Sequence, residues 1–237
     1  MRWLRFRLEA PMASFGRETI DARGRTGDFP TQSMLTGLFA NALGWSRSMR
    51  EEHQRLQDRL VYGTVRAHEP VLGRMTDYQT AQLRKSDRAW TTRGSPSGRD
   101  GGSGTYEGAH QLHRDYHADA RILGVARLDP EDRSPTLQDL ADALERPARP
   151  LFIGRKSCLP SARVFDGWVE DAPNARTALR MIVPGGTALR ALWPASEGVA
   201  GAARIATVSD ERNWITGYHA GTRRVCEGEL SATDSTS

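Results

Sequence analysis

Three histidines, His110, His113 and His117, follow one another at spacings of three and four residues. On a helix they would share one face and could ligate a metal; on a strand they would scatter, and no cysteine stands near them. Their segment leads from a Gly-rich stretch into a strand-like one, so neither a metal centre nor any other cofactor is expected. Imidazoles titrate near neutrality, and the neighbouring Arg114 could steady a phosphorane. Acid–base cleavage of RNA is therefore the chemical alternative to histidines merely solvated beside a phosphate. A second group, Gly24-Arg25-Thr26-Gly27, leads into a helix start at Thr31. Free N–H groups and the helix dipole there attract phosphate, but the P-loop Lys is missing and a plain connector reads equally well. A third, Gly154-Arg155-Lys156-Ser157-Cys158, places two cations and a hydroxyl on one turn, suited to phosphate contact or to simple solvation. Cys158 has no His or Asp close in sequence to make it a nucleophile. Neither G-x-S-x-G nor H-E-x-x-H occurs, and no convincing G-x-G-x-x-G does.

These groups belong to a chain of 237 residues with a formal net charge of +4, a length for one large domain or two small ones. Of its 33 cationic residues only Lys85 and Lys156 are lysines, so 31 are Arg. A GC-rich codon bias produces such a skew. So does recognition of phosphate and RNA, where a planar guanidinium grips oxygens bidentately and stacks on bases. Placement has to separate the two. Arg47, Arg55, Arg59 and Arg146 fall on polar helical stretches, where codon bias suffices. No run reaches the ~18 apolar residues of a membrane helix, and MRWLRFRLEAP lacks the continuous apolar core of a secretory signal. Two cysteines, Cys158 and Cys226, build no disulfide framework, so a cytoplasmic protein is expected.

The elements that must position these residues follow from periodicity. Residues 2–9 alternate, with Leu4, Phe6 and Leu8 on one side and Trp3, Arg5 and Arg7 on the other, which predicts a half-buried strand with a basic, open outer face. The stretch to about residue 30 has no period and reads as loop. Thr31 or Ser33 caps a helix through Met34, Leu35, Leu38, Phe39, Ala42 and Leu43 that ends at Gly44. A polar surface helix at 50–60 and strands at 60–67 and 71–80 follow. Residues 93–104 contain no hydrophobic residue, which predicts a mobile tip. A strand at 121–128, a helix from Ser134 or Thr136 to before Pro147, and a strand at 151–153 complete the order β-α-β-β-α-β. That is an α+β, ferredoxin-like (RRM-like) plan with a long insertion. Strand candidates at 179–183, 187–192, 204–208, 214–218 and 223–226 predict a small, mostly β C-terminal lobe. The boundaries are 1–158 for the RNA-binding domain, 159–230 for the lobe and 231–237 for a disordered tail.

Four blocks resemble the CasD-type subunits of type I-E CRISPR Cascade complexes, which cap the 5′ end of guide RNA. They are residues 10–16 (APMASFG), 26–33 (TGDFPTQS, continuing through Leu35, Gly37, Leu38 and Leu43-Gly44), 114–120 (RDYHADA) and 152–158 (FIGRKSC). The chain departs from the family pattern at Ala10, Ala13 and Gln32, where Gly, Gln and Arg are usual. The resemblance implies a ferredoxin-like domain with a β-hairpin thumb at about 78–117. It implies a non-catalytic subunit that holds the 5′ handle of guide RNA, docks backbone and large subunits, and meets target DNA only indirectly. The RNA contacts it suggests are Met12, Ser14, Phe15, Gly16, Thr31, Gln32, Ser33, Arg84, Arg88, Arg93 and Arg114, with Arg155 and Lys156 as an extension. A metal-independent endoribonuclease acting on precursor guide RNA, through Tyr116, His113, His117 and Arg114, is the alternative.

Overall fold

The computed structural model describes residues 1–232 except 21, 83, 85, 86, 88, 91–95, 98–107 and 187, and only the backbone at 18, 89, 90, 96 and 97. In chain order the elements are β1 (Trp3–Glu9), β2 (Met12–Ala13), β3 (Gly16–Ile20), β4 (Arg23–Thr26), α1 (Gln32–Ala42), α2 (Arg50–Arg59), β5 (Leu60–His68) and β6 (Arg74–Gln82). Then come β7 (Ala89–Trp90), β8 (Pro96–Ser97), β9 (Ala109–Ala118), β10 (Arg121–Leu128), α3 (Leu137–Glu145), β11 (Phe165–Val169), α4 (Ala175–Ile182), β12 (Leu189–Pro194), β13 (Arg204–Val208) and β14 (Arg223–Leu230). The fold is mixed α+β.

One sheet runs through the molecule in the order β11-β1-β10-β5-β12-β14-β13. The alternation of β1 puts Leu4, Phe6 and Leu8 into a core shared with Leu35, Phe39, Leu140 and Leu144 of α1 and α3. Phe6 lies over Gly124, its cross-strand partner on β10, where an added Cβ would sit 2.1 Å from the ring. Of the two caps expected for each helix, Thr136 rather than Ser134 starts α3, with a capping box closed by Asp139, and Thr31 rather than Ser33 caps α1.

The other face of the sheet is not open. Trp3 is fully buried and packs with Val65, Val125 and, from α4, Ala175 and Leu179. Arg5 and Arg7 are both paired with Asp166 of β11. The helix that closes this face occupies residues expected as a strand at 179–183. Asn174 caps it, and Ala175, Ala178, Leu179 and Ile182 recur at helical spacing on its buried side.

Other expectations are corrected in the same way. Residues 151–153 form no strand; Ile153 accepts a hydrogen bond from the Ser14 N–H and donates to the Cys158 carbonyl, closing a tight turn. The place beside β1 belongs to β11. Residues 214–218 form a turn closed by a bridge between Arg212 and His219. The stretch before residue 30 carries β2, β3 and β4, whose Gly, Arg and Thr content hides their period. The strands at 189–194, 204–208 and 223–230, expected in a separate lobe, extend the main sheet through β5.

A second sheet is built on the long antiparallel pair of β6 and β9, in register from Arg74–His117 to Gln82–Ala109. The free edge of β9 takes β2 antiparallel and β4 parallel, and β3 pairs with β4. The tip expected at 93–104 lies, apart from Pro96 and Ser97, outside the described residues, as does residue 233 onward of the expected tail.

Candidate nucleic-acid interface

The first two sequence blocks fold onto each other as a structural knot. The Phe15 N–H donates to Thr26 Oγ1 at 2.8 Å, and the Gly27 N–H donates back to the Phe15 carbonyl. His117 Nε2 donates to the Gly27 carbonyl at 2.7 Å, with its ring against Phe15, centroids 5.0 Å apart. Ser14 and Phe15, expected at the RNA surface, are therefore interior residues. Gly154 at φ +85° presses on them: a Cβ there would lie 1.7 Å from the Ser14 carbonyl oxygen. Asp28 is gripped by Arg74 and Arg190 through its carboxylate and by Arg66 through its carbonyl. Burial alone would raise the Asp28 carboxyl; those guanidinium groups hold it below the usual range instead.

The start of α1 is equally closed. The Gln32 N–H donates to Asp210 Oδ2 at 3.2 Å, the Ser33 N–H to the Asp210 carbonyl at 3.0 Å, and the Met34 N–H to Thr31 Oγ1. The free donors expected for phosphate are thus held by Asp210, which is itself paired with Arg223 at 2.8 Å. Arg223 also reaches Tyr62, whose hydroxyl donates to the Pro30 carbonyl at 2.8 Å. Burial pushes that phenol's pKa strongly upward, so it stays a donor. Gln32 is buried, and its amide donates to the Gln57 and Leu60 carbonyls at 2.9 and 3.1 Å. Replacement of a cation by Gln at this position matches an interior role.

At the base of the β6–β9 hairpin the expected residues divide. His113 stacks on Tyr78, its cross-strand partner. Tyr116 and His117 are 3% and 2% exposed, and burial, the largest effect, pushes the His117 imidazole below the usual histidine range. Arg155 lies over Tyr116 and donates to the Asp115 and Gly24 carbonyls at 2.8 and 3.0 Å. Arg114 is half-buried and no described residue partners its guanidinium; Lys156 is exposed and equally free. Met12 is half-buried, Gly16 exposed, and the exposed Arg84 donates its N–H to Asp87. Arg88 and Arg93 lie outside the described residues. Among the described residues no cluster of His, Cys, Asp or Glu could hold a metal, since β9 sends His110 to the opposite face from His113 and His117.

Sequence reasoning missed a recess. A cleft of about 480 Å³ opens between α1, the start of α2, the 152–156 turn and the 212–217 turn. Ser33, Gly154 and Lys156 line it together with Trp45, Phe152 and Trp214. Arg47, set aside above as codon bias, lines it too, whereas Arg59 on the neighbouring helix is buried and donates to the Pro130, Arg133, Ser134 and Pro135 carbonyls. The only sequence signal was the clustering of Trp with Arg near residues 45 and 214.

Comparison with known proteins places this geometry. The family model described as CRISPR-associated protein (Cas_Cas5) matches residues 3–226. The chain is similar to the CRISPR system Cascade subunit CasD of Escherichia coli (strain K12), at 25% identity over 200 residues, 78% of this chain and 79% of that one. Its fold resembles a chain of a CRISPR RNA-guided surveillance complex, with TM-score 0.67 and 19% identity over 97% of this chain and 90% of that one. A crystal structure of a Cas protein gives TM-score 0.58 and 26% identity over 97% and 95%. No helix among the described residues is long and apolar enough to cross a membrane.

Proposed function

The chain belongs to the CRISPR-associated Cas_Cas5 family, and from that premise we propose that it is a non-catalytic, RNA-binding subunit of a Cascade-type surveillance complex. In this reading it caps the 5′ handle of the guide RNA and docks the backbone and large subunits, while base pairing by the guide reads the target DNA. The β11-β1-β10-β5 part of the sheet, with α1 and α3 on one face, serves as the ferredoxin-like (RRM-like) unit. The β6–β9 hairpin serves as the thumb. The observation that carries the proposal is the family match over nearly the whole chain. Arg114, on β9 beside Gly24 and with no described partner for its guanidinium, supports a handle contact there.

Binding by Arg and Lys to phosphates releases counterions, so handle affinity falls with rising salt. Arg114→Ala should lower the guide RNA that co-purifies with the assembled complex by about 10- to 100-fold, as loss of one charge-assisted contact of roughly 1.5–3 kcal/mol requires. Normal retention and assembly in that variant would sink the handle contact. The ribonuclease alternative meets a geometric obstacle: His117 and Tyr116 are interior groups, and His117 Nε2 already donates to Gly27. Incubation of the chain with precursor RNA in EDTA should leave the RNA intact. A discrete product that disappears in His117→Ala would establish the enzyme instead.

A further inference from the structure

We propose that the cleft between α1, α2 and the 212–217 turn is a binding site for an unpaired nucleotide of single-stranded RNA, its base against the tryptophans and its phosphate among the arginines. The proposal rests on the RNA-capping reading and adds a site to it.

Charge is the first argument. Elsewhere several arginines are neutralised by carboxylates: Arg121 by Glu9, Arg204 by Glu227, Arg163 by Glu145. The cleft gathers cations without such partners. Arg47, Arg50, Arg149, Lys156 and Arg212 line it, and no carboxylate does. Arg47 and Lys156 have no partner among the described residues. Arg50 and Arg149 donate only to backbone carbonyls, those of Ile215 and Trp45, at 3.0 and 2.8 Å. Those bonds fix the guanidinium groups without neutralising them. Buried Arg212 Nε has no acceptor. Cations gathered in this way around a concave, partly desolvated recess attract a polyanion.

Aromatic surface is the second argument. Trp214 stacks on His53 at 4.7 Å, and Trp45 meets His53 edge-on at 5.7 Å. His53 is held by a bond from Nδ1 to the Met49 carbonyl at 2.5 Å. Trp214 is fixed by Gln57, which accepts from its indole N–H at 2.9 Å, and by Gln54, which accepts from its backbone N–H. The rings are therefore preorganised, so stacking of a base costs little ordering. A volume of about 480 Å³ suits a small ligand, and rings beside arginines are the chemistry of single-strand recognition. An acidic peptide would satisfy the charges and leave the rigid indoles unused.

The test uses the full chain and a labelled single-stranded RNA of about eight nucleotides, followed by anisotropy and by photocrosslinking with mass mapping of the adduct. Arg47→Glu changes an exposed, unpartnered residue and should not disturb folding; it should weaken binding at least tenfold. Trp45→Phe should weaken it less and shift the adduct. The adduct should map to Trp45, Phe152 or Trp214. Wild-type affinity in both Arg47→Glu and Arg149→Glu, with Arg114→Ala still impaired, would overturn the cleft and leave the cap reading standing. Absence of RNA binding by the wild-type chain would overturn both. Displacement by an acidic peptide without any RNA adduct in the cleft would assign it to a protein instead.

Discussion

At the scale of single residues, the sequence blocks that look like ligand-binding motifs are largely interior joints. Gly154 is the sharpest case. Its φ of +85° disfavours any side chain, and the Ser14 carbonyl occupies the space a Cβ would need. Gly154→Ala should therefore cost about 2–4 kcal/mol, from backbone strain and overpacking together, read as a lower urea midpoint. His117 makes a pH prediction. Burial depresses its folded-state pKa below the ordinary 6.5, so the folded protein keeps the ring neutral where the unfolded chain takes a proton. Stability should be full above about pH 7 and decline as pH falls below about 6.5. The decline between about pH 7 and pH 5 should be shallower in His117→Gln, whose side chain does not titrate.

At the scale of elements, Asp210 couples two distant segments. Its carboxylate caps the start of α1 and pairs with Arg223 on β14, and the two side chains are only 10% and 12% exposed. Asp210→Ala would strand the Arg223 charge and free the Gln32 N–H. A loss of about 3–5 kcal/mol is expected, with Asp210→Asn less damaging because it can still accept from the helix; thermal unfolding of the two variants checks the order. Legibility differs among elements for physical reasons. Strand β1 and helices α1 and α3 were readable because burial on one side imprints a period. Helix α4 was not, because Leu179-Arg180-Met181-Ile182-Val183 offers strand-forming residues in a short window, and its apolar spacing emerges only with Ala175 and Ala178. The strands β2 to β4 were hidden because their pairing partners, rather than their side chains, make them strands.

At the scale of the whole molecule, the C-terminal third completes the N-terminal fold. Helix α4 covers Trp3, Val65 and Val125, while β11 supplies Asp166 to Arg5 and Arg7. A chain truncated after Cys158 should leave that apolar face bare, lose cooperative unfolding and aggregate; a soluble, cooperatively unfolding fragment would show that the first part folds alone.

The sequence by itself determined the family, through four short blocks in the right order, and the core elements whose burial leaves a period. The resemblance those blocks carry also pointed to RNA, which the arginine skew by itself left open beside codon bias. Only the tertiary structure decided which arginines are available. Free charge depends on what lies opposite each guanidinium, and those partners are distant in sequence: Asp166 for Arg5, Asp210 for Arg223, carbonyls of a remote loop for Arg59. Arg47 looked ordinary on its own stretch and gains its place only because residues 149–156 and 212–217 fold around the same cleft.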